Sequence, residues 1–313
     1  MNVFVAGAYG AIGKPLVTQL VAGGHSVIAT TRSAQQVEQI RAMGAEPVVV
    51  DALDRAAVVE AVKRATPEVI IHELTSLKRL KDFKNFDRDF AMTNRLRTEG
   101  TDYLLEGARA AGTRRFVIQS YGGWIYAPTG SRLKTEEDAL DPNPPARQVE
   151  SLRAIRYLEQ AVQSVNGIEG IALRYGNLYG PGTGFAPDGD ITEMVRKRMF
   201  PIIGSGAGVW SHIHVDDAAS ATVAAMLRGA PGVYNIVDDE PAPVCEWLPV
   251  FARAVGAKPP LHIPAWLGRL MAGDAGLSVM TQIRGVSNAK ARRELDWAPV
   301  YASWREGFKG GLG

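Results

Sequence analysis

The chain opens Met1-Asn-Val-Phe-Val-Ala-Gly7-Ala-Tyr-Gly10-Ala-Ile-Gly13. Residues 2–6 form an apolar run of strand length with β-branched Val3 and Val5. Three glycines follow at a spacing of three, and 14–24 carries Leu16, Val17, Leu20 and Val21 on one helical face. A strand, a glycine turn and a helix in this order predict a nucleotide site. Glycine lets the backbone approach a pyrophosphate, and the helix start presents unpaired N–H groups and a positive dipole end. The phosphate-loop ATPase pattern fails, because Ala8 stands where it needs Gly and Pro15 where it needs Ser or Thr.

Working outward, 313 residues hold one large or two modest domains with a substantial core. Hydrophobic residues at 46% and charged residues at 22% are ordinary for a globular chain and argue against disorder. A net charge of +2 gives no electrostatic reason to expect nucleic acid or a membrane surface. The single cysteine, Cys245, excludes an intramolecular disulfide and fits a reducing cytoplasm. The N-terminus lacks a basic leader, and no apolar run reaches the roughly 18 residues of a membrane helix.

Strand and helix patterns then alternate. Strands are expected at 25–31, 46–50, 68–73, 115–119 and 170–174, and helices at 33–43 (capped by Ser33), 55–65, 90–111 and 149–165. Repeated βα units imply an α/β fold with a Rossmann-type, doubly wound parallel sheet. After Tyr179 glycine and proline cluster, and the alternation ends. We expect a dinucleotide-binding domain over 1–175 and a smaller substrate-binding lobe over 176–313. The lobes partly interleave, because 232–237 reads as a strand returning to the sheet.

The end of the second strand selects the cofactor: a carboxylate there binds ribose hydroxyls, an arginine a 2′-phosphate. Thr30-Thr31-Arg32-Ser33 carries no acid, so Arg32 favours NADP over NAD. Asp51 ends the third strand within reach of an adenine amino group, and Asp54 reads as the cap of the next helix.

On these residues the chain resembles the extended short-chain dehydrogenase/reductase superfamily, the group of nucleotide-sugar epimerases and dehydratases. Gly7, Gly10 and Gly13 fit its fingerprint. Asp51-Ala-Leu-Asp54, Asn94-Arg-Leu-Arg-Thr-Glu-Gly100-Thr101 and Leu173-Arg-Tyr-Gly-Asn-Leu-Tyr179-Gly-Pro-Gly182 fit its later motifs in order. His214-Val-Asp216-Asp217, Tyr234-Asn235 and Ser287 to Pro299 extend the likeness along nearly the whole chain. The resemblance implies cofactor contacts from Gly7, Tyr9, Gly10, Ala11, Ile12, Gly13, Arg32, Asp51, Ala52, Leu53, Asn94, Tyr175 and Asn177. A homodimer through the 90–111 and 149–165 helices is implied in the same way.

The family's catalytic Tyr-x-x-x-Lys does not carry over. None of the nine tyrosines is followed four residues later by lysine, and no lysine lies between Lys134 and Lys197. Aligning by Glu159 puts Ser151 and Ile155 at the dyad positions, and the assisting Ser/Thr becomes Gly122 with Ser120 nearby. Candidate proton donors are therefore Tyr121, Tyr126 and Ser120, beside the fifth strand, with Tyr157 reading as packing. Glu73, Trp124, Tyr179 and Trp210 are expected to line the substrate pocket. His72 reads as a packed neutral imidazole, and Lys78 or Arg79 as a contact for an anionic substrate.

His212 and His214 share one side of a strand, but no third ligand is nearby and no metal is expected. Asp216 or Asp217 is expected to cap a helix over 218–227. Trp266, Leu267, Leu270 and Met271 form an amphipathic element, either core or pocket wall. The reading is an NAD(P)-dependent oxidoreductase or epimerase-like enzyme with a non-standard acid/base, acting on a small organic substrate. The alternative is an inactive NADP(H)-sensing regulator. The absent Tyr and Lys weaken an orthodox nucleotide-sugar epimerase.

Overall fold

Buried, β-branched runs form the centre of the molecule, as a parallel sheet covered on both faces requires. The computed structural model describes residues 1–77 and 86–313. Its elements run β1 Asn2–Ala6, α1 Gly13–Ala22, β2 Ser26–Thr31, α2 Val37–Ala42, β3 Glu46–Val49, α3 Arg55–Ala65 and β4 Val69–His72. Next come α4 Phe86–Arg95, a π-helical turn Leu96–Gly100, α5 Thr101–Ala111, β5 Arg115–Tyr121, β6 Leu133–Lys134, α6 Val149–Gln163, β7 Glu169–Tyr175 and β8 Asn177–Tyr179. The C-terminal part adds α7 Asp190–Arg196, β9 Ile202–Ile203, β10 Val209–Trp210, β11 His212–His214, α8 Val215–Leu227 and β12 Gly232–Ile236.

Seven strands pair in the order β12-β7-β5-β4-β1-β2-β3, all parallel. The chain moves outward from β1 to β3 and then returns to β4 on the other side of β1. The crevice between the carboxyl ends of β1 and β4 is therefore the switch point where this architecture binds its ligand. One face of the sheet packs on α1 and α8 through Leu16, Leu20, Ala221 and Ala225. The other packs on α3, α5 and α6 through Val62, Leu104, Leu105 and Leu158. A separate aromatic core, including Trp210, Trp247, Phe251, Trp304 and Phe308, holds the C-terminal lobe. β12 lies beside β7, with Tyr234 opposite Leu173.

Several local expectations are corrected. Ser33 caps nothing: its own N–H donates to Thr31 Oγ1, and a 3-10 turn at Ala34–Gln36 precedes a shorter α2. The long helix begins earlier than residue 90, because Phe86 stacks on Phe90 one turn on, ring centroids 4.4 Å apart. α8 starts at Val215, and its cap is His214 Nδ1 accepting from the Asp216 N–H. Asp217 instead accepts the N–H groups of Val300 and Tyr301, tying the C-terminal segment down. Trp266 and Leu270 are neither core nor pocket wall, at 70% and 66% exposure. The segment Ala265–Thr281, two helical stretches broken at Gly273, packs its first stretch through Gly268, where a Cβ would overlap the Ile203 side chain, and so turns the bulky residues outward. Asp54 caps α3 as expected, its carboxylate accepting from Ala57 N–H at 3.0 Å.

Candidate active site

The glycine turn after β1 is dictated by close backbone approach. Gly7 has φ +96°, and a Cβ there would lie 2.7 Å from the Glu73 backbone. A Cβ on Gly13 would overlap the Gly7 carbonyl oxygen, so the helix start can press against the turn only as glycine. No side chain caps α1, whose N-cap is Ile12; Lys14 N–H donates to the Gly10 carbonyl and Pro15 has none, so the Ile12 and Gly13 N–H groups are the ones left for an anion. Tyr9 lies at the rim, with Lys14 Nζ 4.0 Å over its ring. This cradle fits a dinucleotide pyrophosphate. Arg32, just past β2, is exposed and forms no ion pair among the described residues. Asp51 is exposed too, with one carboxylate oxygen accepting from Leu53 N–H, while Ala52 is buried.

Beside the cradle lies a cavity of about 510 Å³ at the carboxyl ends of β4, β5 and β7, reached by Ala11 from the turn. Its polar wall includes Thr75, Arg97, Gln119, Tyr121 and Asn177. Its apolar wall includes Phe86, Phe90, Trp124, Ile155, Phe185 and Trp210. The Tyr121 hydroxyl donates to Asn177 Oδ1 at 2.8 Å, and Asn177 Nδ2 donates to the Ser211 carbonyl at 3.1 Å. Burial pushes the Tyr121 phenol well above its ordinary range. Trp210 Nε1 donates to the Val279 carbonyl, which fixes its ring in the wall.

Of the three proposed proton donors, Tyr121 alone lines this cavity. Ser120 points into the protein and donates to Glu159 Oε1 at 2.6 Å. Glu159 forms a two-pronged ion pair with Arg174, at 2.8 and 2.7 Å. Arg174 also donates to the Tyr126 hydroxyl, which donates on to Asn235 Oδ1 at 2.7 Å. Ser120 and Tyr126 thus belong to a buried network joining β5, α6, β7 and β12. Burial pushes the Tyr126 phenol up to about 12 despite the adjacent guanidinium.

The remaining candidates separate similarly. Trp124 and Trp210 line the cavity; Tyr179 and Glu73 do not. Tyr179 is fully buried among His214, Tyr301 and Phe308. Glu73 lies beneath the glycine turn, its Oε1 accepting from Tyr175 Oη at 3.0 Å and its Oε2 without a partner. Desolvation pushes its carboxyl up to about 8, so it is mostly protonated at neutral pH. Tyr175 lines the cavity and also bonds Thr222. Asn94 faces α6 and donates to Ser151 Oγ at 3.1 Å. At the dyad positions, Ile155 lines the cavity while Ser151 is turned away, donating to Asp87 Oδ1 at 2.7 Å.

His72 is neutral: burial lowers it to about 4, and both ring nitrogens meet backbone groups. His212 and His214 do not converge on an ion, since His214 caps α8 and His212 sits in an aromatic cage. Among the described residues no group of three or more His, Cys, Asp or Glu is arranged to hold a metal. Lys78 and Arg79 lie outside the described residues. Sequence reasoning missed Arg97, three residues beyond Asn94 on the π-helical turn, which reaches the cavity in its place. The only signal was a basic residue at helical spacing from that asparagine.

The model of the NAD dependent epimerase/dehydratase family matches residues 3–237, so the chain belongs to that family. A 3-diazoavenalumate denitrifying reductase from Streptomyces is 47% identical, spanning 98% of this chain and 99% of the relative. A UDP-glucose 4-epimerase from Thermus thermophilus, solved with NAD, superposes with a TM-score of 0.75 at 25% identity, covering 100% of this chain and 98% of that one. A UDP-glucose 4-epimerase from Thermotoga maritima, solved with UDP-glucose, gives 0.76 at 24% identity over 100% and 97%, and shows the shared fold alone. The chain is an oxidoreductase/epimerase-like enzyme that uses a nicotinamide dinucleotide. Among the described residues no helix is long and apolar enough to cross a membrane.

Proposed function

We propose that this protein is an NADP(H)-dependent reductase that removes nitrogen from a diazo-bearing aromatic substrate. The observation that carries the reading is the cavity wall at α6: Ile155 faces the cavity and Ser151 is bonded away from it, so no acid/base pair stands there. A carbonyl that accepts hydride becomes an alkoxide and needs a proton donor or an oxyanion stabiliser. An aryl diazonium, Ar–N≡N⁺, becomes the neutral diazene Ar–N=N–H. Loss of N₂ with transfer of that hydrogen to carbon then gives Ar–H, and no oxyanion arises. With no acid/base pair at α6 the site lacks the family's usual proton donor, and the diazo substrate does not need one there. The reductase that is 47% identical over nearly both chains is named for such a reaction.

The chain's own groups have positional tasks. Gly7, Gly10, Gly13 and the open start of α1 would seat the pyrophosphate, and Asp51 and Arg32 the adenosine end, Arg32 favouring a 2′-phosphate. When bound, the cofactor supplies a hydride at the nicotinamide ring. Phe86, Phe90, Trp124 and Trp210 offer flat apolar surface to an aromatic ring and keep water from a reactive diazo group. The hydrogen bond from Tyr121 to Asn177 holds both side chains against the wall.

The test uses purified protein, a diazotised aminocinnamate and NADPH deuterated at nicotinamide C4. Deuterium at the ring carbon that carried nitrogen supports the proposal. No protein-dependent, NADPH-dependent formation of the nitrogen-free arene, or ready reduction of ketones in its place, overturns it.

A further inference from the structure

We propose that the Arg97 guanidinium is the binding site for the carboxylate of an aromatic acid, so that the substrate enters this cavity as an anion. The inference rests on the aromatic-substrate reading above and adds the group by which that substrate is held.

Three buried arginines lie near the sheet, and two carry their counter-charge with them. Arg174 grips Glu159 with two hydrogen bonds, and Arg115 pairs with Glu169 while donating to the carbonyls of Ala225 and Met226. Arg97 is buried to a similar degree, at 8% exposure, yet it forms no ion pair among the described residues. Among the described residues its one hydrogen bond is a long one to Asn94 Oδ1, at 3.4 Å. A guanidinium has five N–H donors, and a buried unpaired charge is costly. Desolvation lowers its proton affinity to about 10, and the nearby Glu159 carboxylate, already gripped by Arg174, offsets only part of that.

The cavity is where that anion fits. Arg97 shares the wall with Tyr121 and Ile155, and Phe90, Phe86 and Trp124 supply the aromatic surface nearby. A planar fork matches a carboxylate with two parallel bonds, and a flat apolar wall takes the ring that bears it. The cofactor is the weaker fit for Arg97, because its phosphates belong at the glycine turn and its nicotinamide ribose is neutral.

The experiment measures binding of 4-hydroxycinnamate, which has no diazo group, and of its primary amide, by calorimetry on the NADPH-loaded protein. The acid should bind wild type at least tenfold more tightly than the amide. Arg97→Gln should abolish that preference, leave amide binding within twofold, and leave the NADPH Kd unchanged; Arg97→Lys should restore part of it. Circular dichroism serves as the check that each variant is folded, and the acid-to-amide ratio on wild type needs no variant at all. An equal affinity for acid and amide overturns the proposal, as does loss of NADPH affinity in folded Arg97→Gln with the acid unaffected. Diazo turnover that survives Arg97→Gln with unchanged KM would overturn this anchor while leaving the reductase reading intact.

Discussion

The Tyr121 hydroxyl gives its only proton to Asn177 Oδ1, 2.8 Å away, and Asn177 is itself fixed by the Ser211 carbonyl. The one candidate of the three that reaches the cavity is thus committed to its neighbour. Tyr121→Phe should retain turnover of a diazotised aromatic acid within about threefold. A fall of about a hundredfold, the scale of general-acid catalysis, would make Tyr121 the proton donor of a carbonyl reductase.

Ser120 and Tyr126 act on stability through the Glu159–Arg174 pair. Glu159→Gln leaves a buried guanidinium half-paired and should cost about 3 kcal/mol. Tyr126→Phe removes a single hydrogen-bonding group and should cost about 1 kcal/mol. Urea unfolding followed by circular dichroism checks both, and the turnover of folded Tyr126→Phe should match wild type. Lost turnover with unchanged stability would put Tyr126 back among the catalytic candidates.

Glu73 makes stability depend on pH. Its carboxyl titrates at about 8 in the fold against 4.5 in the free side chain, because burial penalises the charged form. The folded state therefore keeps a proton that the unfolded state loses. The contribution is complete below about pH 4.5 and is lost as pH rises through about 8. Glu73→Gln, neutral throughout, should flatten this part of the profile, so the gap in Tm between variant and wild type should widen in the variant's favour from pH 5 to pH 8. A gap constant with pH would mean that Glu73 is already ionised in the fold.

Arg32 should discriminate between cofactors. If Arg32 holds the 2′-phosphate as proposed, Arg32→Ala should lose a charge-assisted contact, on the order of 2 kcal/mol or about thirtyfold in NADPH affinity, and leave NADH nearly untouched. Calorimetry with both dinucleotides decides it. Equal losses would show that Arg32 does not read the phosphate.

The nucleotide half of the molecule was legible because its signals are local. The turn at Gly7 to Gly13 and the alternating strands and helices are read within a few residues of each other, and the sheet order follows from connection rules. The catalytic candidates were not, since Ser120 and Tyr126 are turned inward by Glu159, Arg174 and Asn235, partners up to 109 residues distant. Arg97 was hidden because a basic residue three positions beyond Asn94 reads as a solvated helix face, and nothing local shows that it is buried against the cavity. Trp266 and Leu270 were misplaced because amphipathic spacing does not reveal that Gly268 lies on the packed side.

The most direct measurement is the ratio of nitrogen gas released to NADPH oxidised when the purified protein meets a diazotised aminocinnamate. One molecule of N₂ per NADPH, with the ring left bearing hydrogen, is the result expected of a site that delivers hydride without a proton donor. NADPH oxidation without nitrogen release, or nitrogen release that needs no NADPH, would contradict it.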